Sequence, residues 1–140
     1  MKYEVFVYAT LKHGFPNFHL NQGKKLPGRF TTENNYPLYL VGDRHSPWMI
    51  DDAGNGEVIN GEVYQVDKRQ LKKMDKLESI NKEDGYKRIQ IQVKSLKHFH
   101  VHDVFCYMKP KQQLIVDDIK QGPLSSYEQE HASLYLSRSE

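Results

Sequence analysis

The chain has 140 residues, a hydrophobic fraction of 38% and a formal net charge of +2. This length suits one compact domain over residues 1–140, with one core and one pocket. Acidic residues interrupt the most basic stretch, at residues 68–76, so the chain lacks the continuous basic stripe that is typical of nucleic-acid-binding proteins.

The single cysteine, Cys106, excludes an internal disulfide and favours a reducing compartment. The sequence shows no signal peptide, and its apolar runs are shorter than the roughly 18–20 residues that a membrane-spanning helix requires. We therefore expect a cytoplasmic monomer with neither a membrane nor a nucleic-acid partner.

The first third of the chain predicts mainly β-structure. Residues 4–10 are β-formers with apolar side chains on both faces, which is typical of an interior strand. A short helix is expected over residues 17–22. Residues 26–40 are aromatic and β-prone but are interrupted by Pro37, and residues 46–56 have the composition of a loop.

Further strands are predicted in the middle and second half of the chain. Residues 57–59 and 62–66 are strand-like, and Asn60-Gly61 between them indicates either a tight turn or a bulge within one long strand. The alternation of apolar and polar residues over 89–93 predicts a strand with one wet face, and 101–108 is a further strand.

The clearest helix is predicted over residues 67–79. Asp67 is a favourable N-cap, and Gln70 three residues later completes a capping-box pattern. Leu71, Met74 and Leu77 recur at helical spacing, so one face of this helix is expected to be buried.

Strands outnumber helices in this pattern, which predicts an α+β fold. We expect a small mixed or mainly antiparallel β-barrel with flanking helices. The tail from about residue 122 is polar, with Tyr127 and Tyr135 as its only large rings. It is expected either to lie over a pocket or to be loose.

Glu78 is the residue whose position is hardest to explain by structure alone. At about 100° per residue it falls between Leu71 and Met74, in the middle of the apolar face of the helix. A carboxyl group there is desolvated, which raises its pKa toward the range useful for general acid–base catalysis. Alternatively, the end of the helix frays and Glu78 bends into solvent.

The sequence resembles the gamma-glutamyl cyclotransferase-like family, and most closely its gamma-glutamylamine cyclotransferase branch. The first strand contains Tyr8-Ala9-Thr10-Leu11, where the family usually has Tyr-Gly-Thr-Leu or Tyr-Gly-Ser. Similar motifs follow in the family's order: Gly61-Glu62-Val63-Tyr64-Gln65-Val66-Asp67, Met74-Asp75-Lys76-Leu77-Glu78 and Tyr86-Lys87-Arg88. The resemblance extends over nearly the whole chain, including Pro47-Trp48 and the tail.

This resemblance implies a small closed barrel with a cavity at one end and an enzyme that needs no metal or organic cofactor. The implied reaction is cyclisation of a gamma-glutamyl amine, such as gamma-glutamyl-ε-lysine, to 5-oxoproline with release of the amine. Glu78 corresponds to the family's catalytic glutamate. The turn Tyr8-Ala9-Thr10-Leu11 is expected to bind the substrate through its backbone N–H groups. Tyr86 and Arg88 are expected either to orient the substrate or simply to pack in a strand.

Ala9 departs from the family pattern, which has glycine at this position. If the backbone there has a positive φ or lies against the substrate, the methyl group of Ala9 is unfavourable, whereas an extended backbone tolerates it. The departure leaves open a non-catalytic binding module on the same fold. A cyclotransferase for another gamma-glutamyl amide is the third interpretation.

Five other positions have alternative interpretations. His98, His100 and His102 alternate and would share one face of a strand, where they either bind zinc or are simply exposed. Cys106 is expected to be a core residue rather than a nucleophile. Asp75 is expected at an exposed helix position, although it lies close enough to Glu78 to influence its pKa.

Overall fold

The computed structural model describes residues 2–136, in which most strands belong to one closed sheet. The strands are β1 (Lys2–Val7), β2 (Lys24–Lys25), β3 (Phe30–Tyr36), β4 (Leu38–Val41), β5 (Ser46–Met49), β6 (Glu57–Asp67), β7 (Lys87–Ser95), β8 (Val101–Met108) and β9 (Ile119–Gln121). The α-helices are α1 (Lys68–Leu77) and α2 (Gln129–Ala132). Single turns of 3-10 helix occupy Phe18–Leu20, Lys111–Gln113 and Val116–Asp118.

The main sheet closes because β1 pairs with strands on both sides. It pairs in antiparallel fashion with β6, where Val5 lies opposite Tyr64, and in parallel fashion with β8, where Val5 lies opposite Phe105. The pairing continues from β8 through β7, β3 and β6 back to β1, and β2 extends from β6. The predicted α+β fold with a small, mainly antiparallel barrel is confirmed.

A second, three-stranded sheet is formed by β5, β4 and β9. Pro37 separates β3 from β4, as predicted. The prediction that residues 46–56 form only a loop was wrong at its start, where β5 pairs with β4. Pro47 is accommodated because β5 pairs with β4 alone in this sheet and needs no second row of backbone hydrogen bonds.

The tight turn at Asn60-Gly61 is absent, and β6 runs through both residues as one continuous strand. Its partner β3 shifts register between Thr31 and Asn35, so the irregularity lies on the neighbouring strand. A Cβ at Gly61 would lie 2.5 Å from the Val7 carbonyl oxygen and 2.6 Å from the Phe6 ring. Glycine is therefore required here for close packing across the barrel rather than for a turn.

The predicted capping box starts α1. The Asp67 side chain accepts a hydrogen bond from the Gln70 N–H at 2.8 Å, and the Gln70 side chain accepts one from the Asp67 N–H at 2.9 Å. Leu71 and Met74 are the buried residues of the helix, whereas Leu77, expected on the same face, lies in its last turn and is 40% exposed. The helix expected over 17–22 is the single 3-10 turn Phe18–Leu20.

Two apolar clusters lie on either side of β1. Phe6 and Tyr8 belong to the cluster inside the barrel. Val5 and Val7 belong to the second cluster, which includes the buried residues of α1. This burial of both faces explains the apolar run that identified an interior strand. β1 thus lies between the barrel interior and α1. The residues that follow β1 line the same cavity as the end of α1.

Candidate functional site

A cavity of about 730 Å³ lies where β1 and α1 end, a size typical of small-molecule sites. Its lining residues are Phe6, Val7, Tyr8, Ala9, Thr10, Leu11, Pro16, Asn17, His19, Leu20, Arg44, Ser46, Pro47, Lys76, Leu77, Glu78, Ser79, Tyr86, Tyr107 and Tyr135. Of the predicted site residues, the fold brings Glu78, Tyr8, Ala9, Thr10, Leu11 and Tyr86 together here. Arg88 lies outside this lining.

Glu78 is the C-cap residue of α1, and it is half-buried. The chain then reverses at Ser79, whose φ of 56° lies in the left-handed region. The N–H of Ser79 donates to the Lys76 carbonyl at 3.1 Å, and the N–H of Ile80 donates to the Asp75 carbonyl at 3.2 Å. This is the Schellman pattern of helix termination. The end of α1 is thus a defined turn that holds Glu78 at the cavity wall, and it does not bend into solvent.

The loop that follows β1 forms the neighbouring wall. Ala9 and Leu11 are buried, and Asn17 fixes the loop through its N–H to the Thr10 carbonyl at 2.8 Å and its Nδ2 to the Thr10 hydroxyl at 3.1 Å. Within residues 2–136, the N–H groups of Ala9, Thr10 and Leu11 donate no hydrogen bond to the protein. Buried backbone donors are seldom left without an acceptor, so these groups are available to a ligand.

The backbone of Ala9 does not require glycine. Among the described residues other than glycine, positive φ angles occur at His45, Ser79 and Phe99, and not at Ala9. The methyl group of Ala9 packs in the core cluster inside the barrel. Alanine is therefore compatible with this loop conformation, and the substitution is not strained.

A network of polar side chains adjoins the cavity and was not predicted from the sequence. Tyr107 donates its hydroxyl to Asp75 Oδ1 at 2.6 Å, and the Arg88 guanidinium pairs with Asp75 Oδ2 at 2.6 Å. Tyr8 donates its hydroxyl to the Tyr107 carbonyl at 2.8 Å. The prediction that Asp75 is an exposed helix residue was wrong, because β7 and β8 bring Arg88 and Tyr107 to it as a directly opposed pair.

Arg88 pairs with Asp75 and does not line the cavity. Its guanidinium also lies 4.7 Å from the centre of the Phe105 ring, so the side chain is held at two points. The Tyr-x-Arg motif thus supplies Tyr86, which lines the cavity, and Arg88, which forms an ion pair with Asp75 on α1.

Tyr86 links three parts of the site. Its N–H donates to the Glu78 carbonyl at 3.0 Å, and its hydroxyl donates to the Pro47 carbonyl at 2.8 Å. The buried ammonium group of Lys109 lies 4.6 Å from the Tyr86 ring centre and 4.3 Å from that of Trp48. The sequence alone does not indicate a role for Lys109, because only the folded chain brings both rings to its ammonium group.

Two of the tyrosines that line the cavity, Tyr8 and Tyr107, have raised pKa values. Burial is the main cause of the raised pKa of Tyr8, followed by the negative charges that Tyr86, Cys106 and Glu78 carry when ionised. Burial, followed by the hydrogen bond to Asp75, raises the pKa of Tyr107. Both phenols are therefore neutral hydrogen-bond donors at physiological pH.

The tail contacts the body of the protein at several points as far as residue 136. Tyr127 is fully buried in the core cluster inside the barrel, while Tyr135 lines the cavity, with Asn17 Nδ2 3.4 Å from its hydroxyl. The N–H of Leu136 donates to the Arg44 carbonyl at 3.0 Å. The tail thus crosses from the loop around Asn17 to the β4–β5 turn at the cavity.

The predicted alignment of three histidines on one strand was wrong. His98 and His100 lie in the connection between β7 and β8, whereas His102 lies in β8, where its Nδ1 is 2.8 Å from the Glu4 carboxylate. In the described part of the chain, no group of three or more His, Cys, Asp or Glu side chains is arranged to hold a metal ion. Cys106 is fully buried in the core, as predicted.

Comparison with known proteins gives the family. Residues 5–131 match the family described as gamma-glutamyl cyclotransferase, AIG2-like. The chain belongs to this family. The crystal structure of an AIG2-like protein from Mus musculus superimposes with a TM-score of 0.85 at 27% identity, and the alignment covers 99% of this chain and 98% of that one.

Two relatives from vertebrates carry a more specific name. A protein of Rattus norvegicus named gamma-glutamylaminecyclotransferase is 36% identical over 98 residues, which is 66% of this chain and 64% of the rat protein. Gamma-glutamylaminecyclotransferase B of Danio rerio is 36% identical over 115 residues, which is 76% of this chain and 59% of the fish protein. The matched region therefore spans about three fifths of each relative. In residues 2–136, no helix is long and apolar enough to cross a membrane.

Proposed function

We propose that the protein is a cyclotransferase that converts gamma-glutamyl amines, such as gamma-glutamyl-ε-lysine, into 5-oxoproline and the free amine. One observation carries the proposal: the half-buried carboxyl group of Glu78 shares a cavity with the N–H groups of Ala9, Thr10 and Leu11, which have no protein acceptor among the described residues. The similarity to proteins named gamma-glutamylaminecyclotransferase supports it.

The substrate supplies its own nucleophile. Its α-amine attacks its γ-carbonyl carbon, the new C–N bond closes a five-membered ring, and the bond between that carbon and the leaving amine breaks. Because the two groups are already tethered, the enzyme has only to hold the cyclising conformer. No metal or organic cofactor takes part in this scheme.

Glu78 moves the proton. As a carboxylate it accepts a proton from the attacking amine, and as a carboxylic acid it returns that proton to the departing nitrogen. One group serves both steps because the proton leaves one nitrogen and joins another on the same carbon. The rigid turn at Ser79 keeps the carboxyl group at this place.

The loop of residues 9–11 stabilises negative charge. Backbone N–H groups that point at a developing oxyanion lower the barrier without reorganisation, and the same loop is suited to the α-carboxylate of the glutamyl group. Tyr8 and Tyr86 add phenol rings to the walls, which orient the substrate and exclude water. In this scheme Arg88 contributes indirectly, through Asp75.

Incubation with gamma-glutamyl-ε-lysine and, separately, gamma-glutamyl-alanine tests the proposal when 5-oxoproline is measured. Product from the lysine compound alone is the expected result. Product from the alanine compound alone would assign the chain to a different gamma-glutamyl amide. Binding of either compound without product would indicate a non-catalytic binding module.

We also propose that the protein works as a monomer in the cytoplasm, with a small-molecule substrate and no nucleic-acid or membrane partner. The cavity walls described above come from one chain, and the single cysteine is a buried free thiol. Sedimentation equilibrium and fractionation of expressing cells test the two statements, and a stable dimer or a membrane-bound pool would contradict them.

A further inference from the structure

Arg44 is a cation of the cavity wall that the proposed chemistry does not use. It lies in the turn between β4 and β5, it is half-buried, and it lines the cavity. Within residues 2–136 its guanidinium forms no ion pair and no hydrogen bond. A guanidinium carries five donors in a rigid fork that suits a carboxylate, so a half-buried one without a protein acceptor is poised for an anionic ligand group.

The backbone of Arg44 is fixed. The N–H of Gly42 donates to the Asp118 carbonyl at 2.9 Å, and the N–H of His45 donates to the Gly42 carbonyl at 3.1 Å. The Arg44 carbonyl accepts the N–H of Leu136 at 3.0 Å. Arg44 is therefore presented from a turn that is anchored on both sides, which lowers the entropic cost of binding a ligand.

The charges that line the cavity are unequal. Glu78 is the only carboxylate among the lining residues of the described chain, whereas Arg44 and Lys76 are both cationic at neutral pH. Lys76 is exposed, so Arg44 is the better desolvated of the two. Since desolvated charges interact more strongly than exposed ones, Arg44 is the stronger candidate to select an anion.

The geometry of cyclisation indicates which anion this is. When the α-amine reaches the γ-carbonyl carbon, the glutamyl part of the substrate folds into a compact ring, and a single loop can serve both its carboxylate and its carbonyl oxygen. The leaving amine projects away from that ring. A charged group at its far end is then the part of the substrate that can reach a different wall, formed by the β4–β5 turn and the tail.

We propose that Arg44 binds a carboxylate at the far end of the leaving amine, so that the enzyme selects gamma-glutamyl amines whose leaving group, like lysine linked through its ε-nitrogen, carries a carboxylate several bonds from the reacting nitrogen. This inference rests on the proposed function. Amines of the same length without a carboxylate leave the guanidinium of Arg44 unpaired and are poorer substrates. Arg44 is thus a specificity-determining residue, distinct from the groups that act on the reacting atoms.

The matched substrates are gamma-glutamyl-ε-lysine and gamma-glutamylcadaverine, which differ only in the lysine carboxylate. With the full chain, we expect kcat/KM for the lysine compound to exceed that for the cadaverine compound by about 10- to 100-fold, the usual range for a hydrogen-bonded charge pair. Arg44→Gln should remove this preference by lowering kcat/KM for the lysine compound alone. Arg44→Lys should restore part of it.

Arg69→Gln is the control, because Arg69 is exposed on α1 and does not line the cavity. It should leave both values within about twofold, as expected for a surface substitution. Equal losses on both substrates in Arg44→Gln would overturn the inference and would place Arg44 at the glutamyl end or in the fold. Unchanged kinetics would overturn it as well.

Calorimetric binding separates this inference from the proposed function. If the wild-type chain forms no 5-oxoproline from either compound, the proposed function fails. Tighter binding of the lysine compound that Arg44→Gln abolishes would still support a carboxylate-binding Arg44. Equal affinities for the two compounds, or an unchanged preference in the variant, would overturn it.

Discussion

The N–H of Tyr86 donates a hydrogen bond of 3.0 Å to the carbonyl oxygen of Glu78, and both side chains line the same cavity. This bond closes the connection between α1 and β7 on the end of the helix. Because the Tyr86 hydroxyl also reaches the Pro47 carbonyl, the end of α1 is joined to the second sheet. Glu78 is thus held in place by the backbone geometry at the end of α1.

Ser79→Gly should stabilise the protein. Ser79 adopts a φ of 56°, which costs a non-glycine residue about 1–2 kcal/mol. Glycine removes that cost but adds chain entropy in the unfolded state, so we expect a net gain of about 0.5–1 kcal/mol in the free energy of unfolding. Urea denaturation measures it, with Ser79→Ala as the control that retains the strain. Equal stability of the two variants would contradict the prediction.

Asp75→Asn should destabilise the protein, because it removes the negative charge that pairs with Arg88. The Arg88 and Asp75 side chains are 29% and 17% exposed, so solvent screens part of their attraction. Because Asp75 also accepts the Tyr107 hydroxyl, we expect a loss of about 1–2 kcal/mol in the free energy of unfolding.

A double-mutant cycle with Arg88→Gln isolates the Asp75–Arg88 pair. The two losses should be less than additive, by about 0.5 kcal/mol or more. Asp117→Asn, at an exposed position in a 3-10 turn, is the matched control and should change stability by less than about 0.5 kcal/mol. Fully additive losses would show that the pair contributes nothing.

Stability should fall as the pH rises through about 10, the ordinary pKa of tyrosine. Burial raises the pKa of five of the nine tyrosines: Tyr8, Tyr36, Tyr64, Tyr107 and Tyr127. Above this pH the unfolded chain loses protons that the native state keeps, so the native state is disfavoured. Below it, both states are protonated and the contribution is fully present.

Lys12 acts in the opposite direction. Burial lowers its pKa, so the native state binds fewer protons than the unfolded chain near pH 10, and this unfavourable contribution fades as the pH rises. One lysine does not offset five tyrosines. Phenolate absorbance should rise further as the near-ultraviolet circular dichroism is lost, because the five tyrosines with raised pKa values ionise on unfolding. A single normal titration of all nine in the folded state would contradict this.

Ala9→Gly should give no gain in kcat/KM, because Ala9 does not have a positive φ. It should lower the free energy of unfolding by about 0.4–1 kcal/mol through added chain entropy. Ala9→Val narrows the approach to the neighbouring N–H groups, so it should lower kcat/KM by a larger factor than its effect on stability explains. An increase of kcat/KM in Ala9→Gly would show that the methyl group crowds the substrate.

Local signals in the sequence were sufficient for the elements that position Glu78. The capping box set the start of α1, helical spacing placed Glu78 on its buried face, and apolar residues on both faces identified β1 as an interior strand. These features depend on residues within one or two turns of each other, where side-chain periodicity reports burial directly.

The remaining features depend on residues far apart in the chain. Asn60-Gly61 favours a turn locally, but Phe6 and Val7 lie close to Gly61 and β6 continues through both residues without a turn. Asp75 is partly buried, and the register of β7 and β8 brings Arg88 and Tyr107 to it. A periodicity argument on one helix contains no information on that register, and tertiary packing decides the outcome.

The most direct test of Glu78 as the proton-transfer residue is the turnover of Glu78→Gln with gamma-glutamyl-ε-lysine. The substitution keeps the size of the side chain and removes its acid–base capacity, so kcat should fall by about 10²- to 10⁴-fold. The melting temperature should change little, because Glu78 is the C-cap residue and its backbone bonds are retained. Near-normal formation of 5-oxoproline by the folded variant would contradict the assignment.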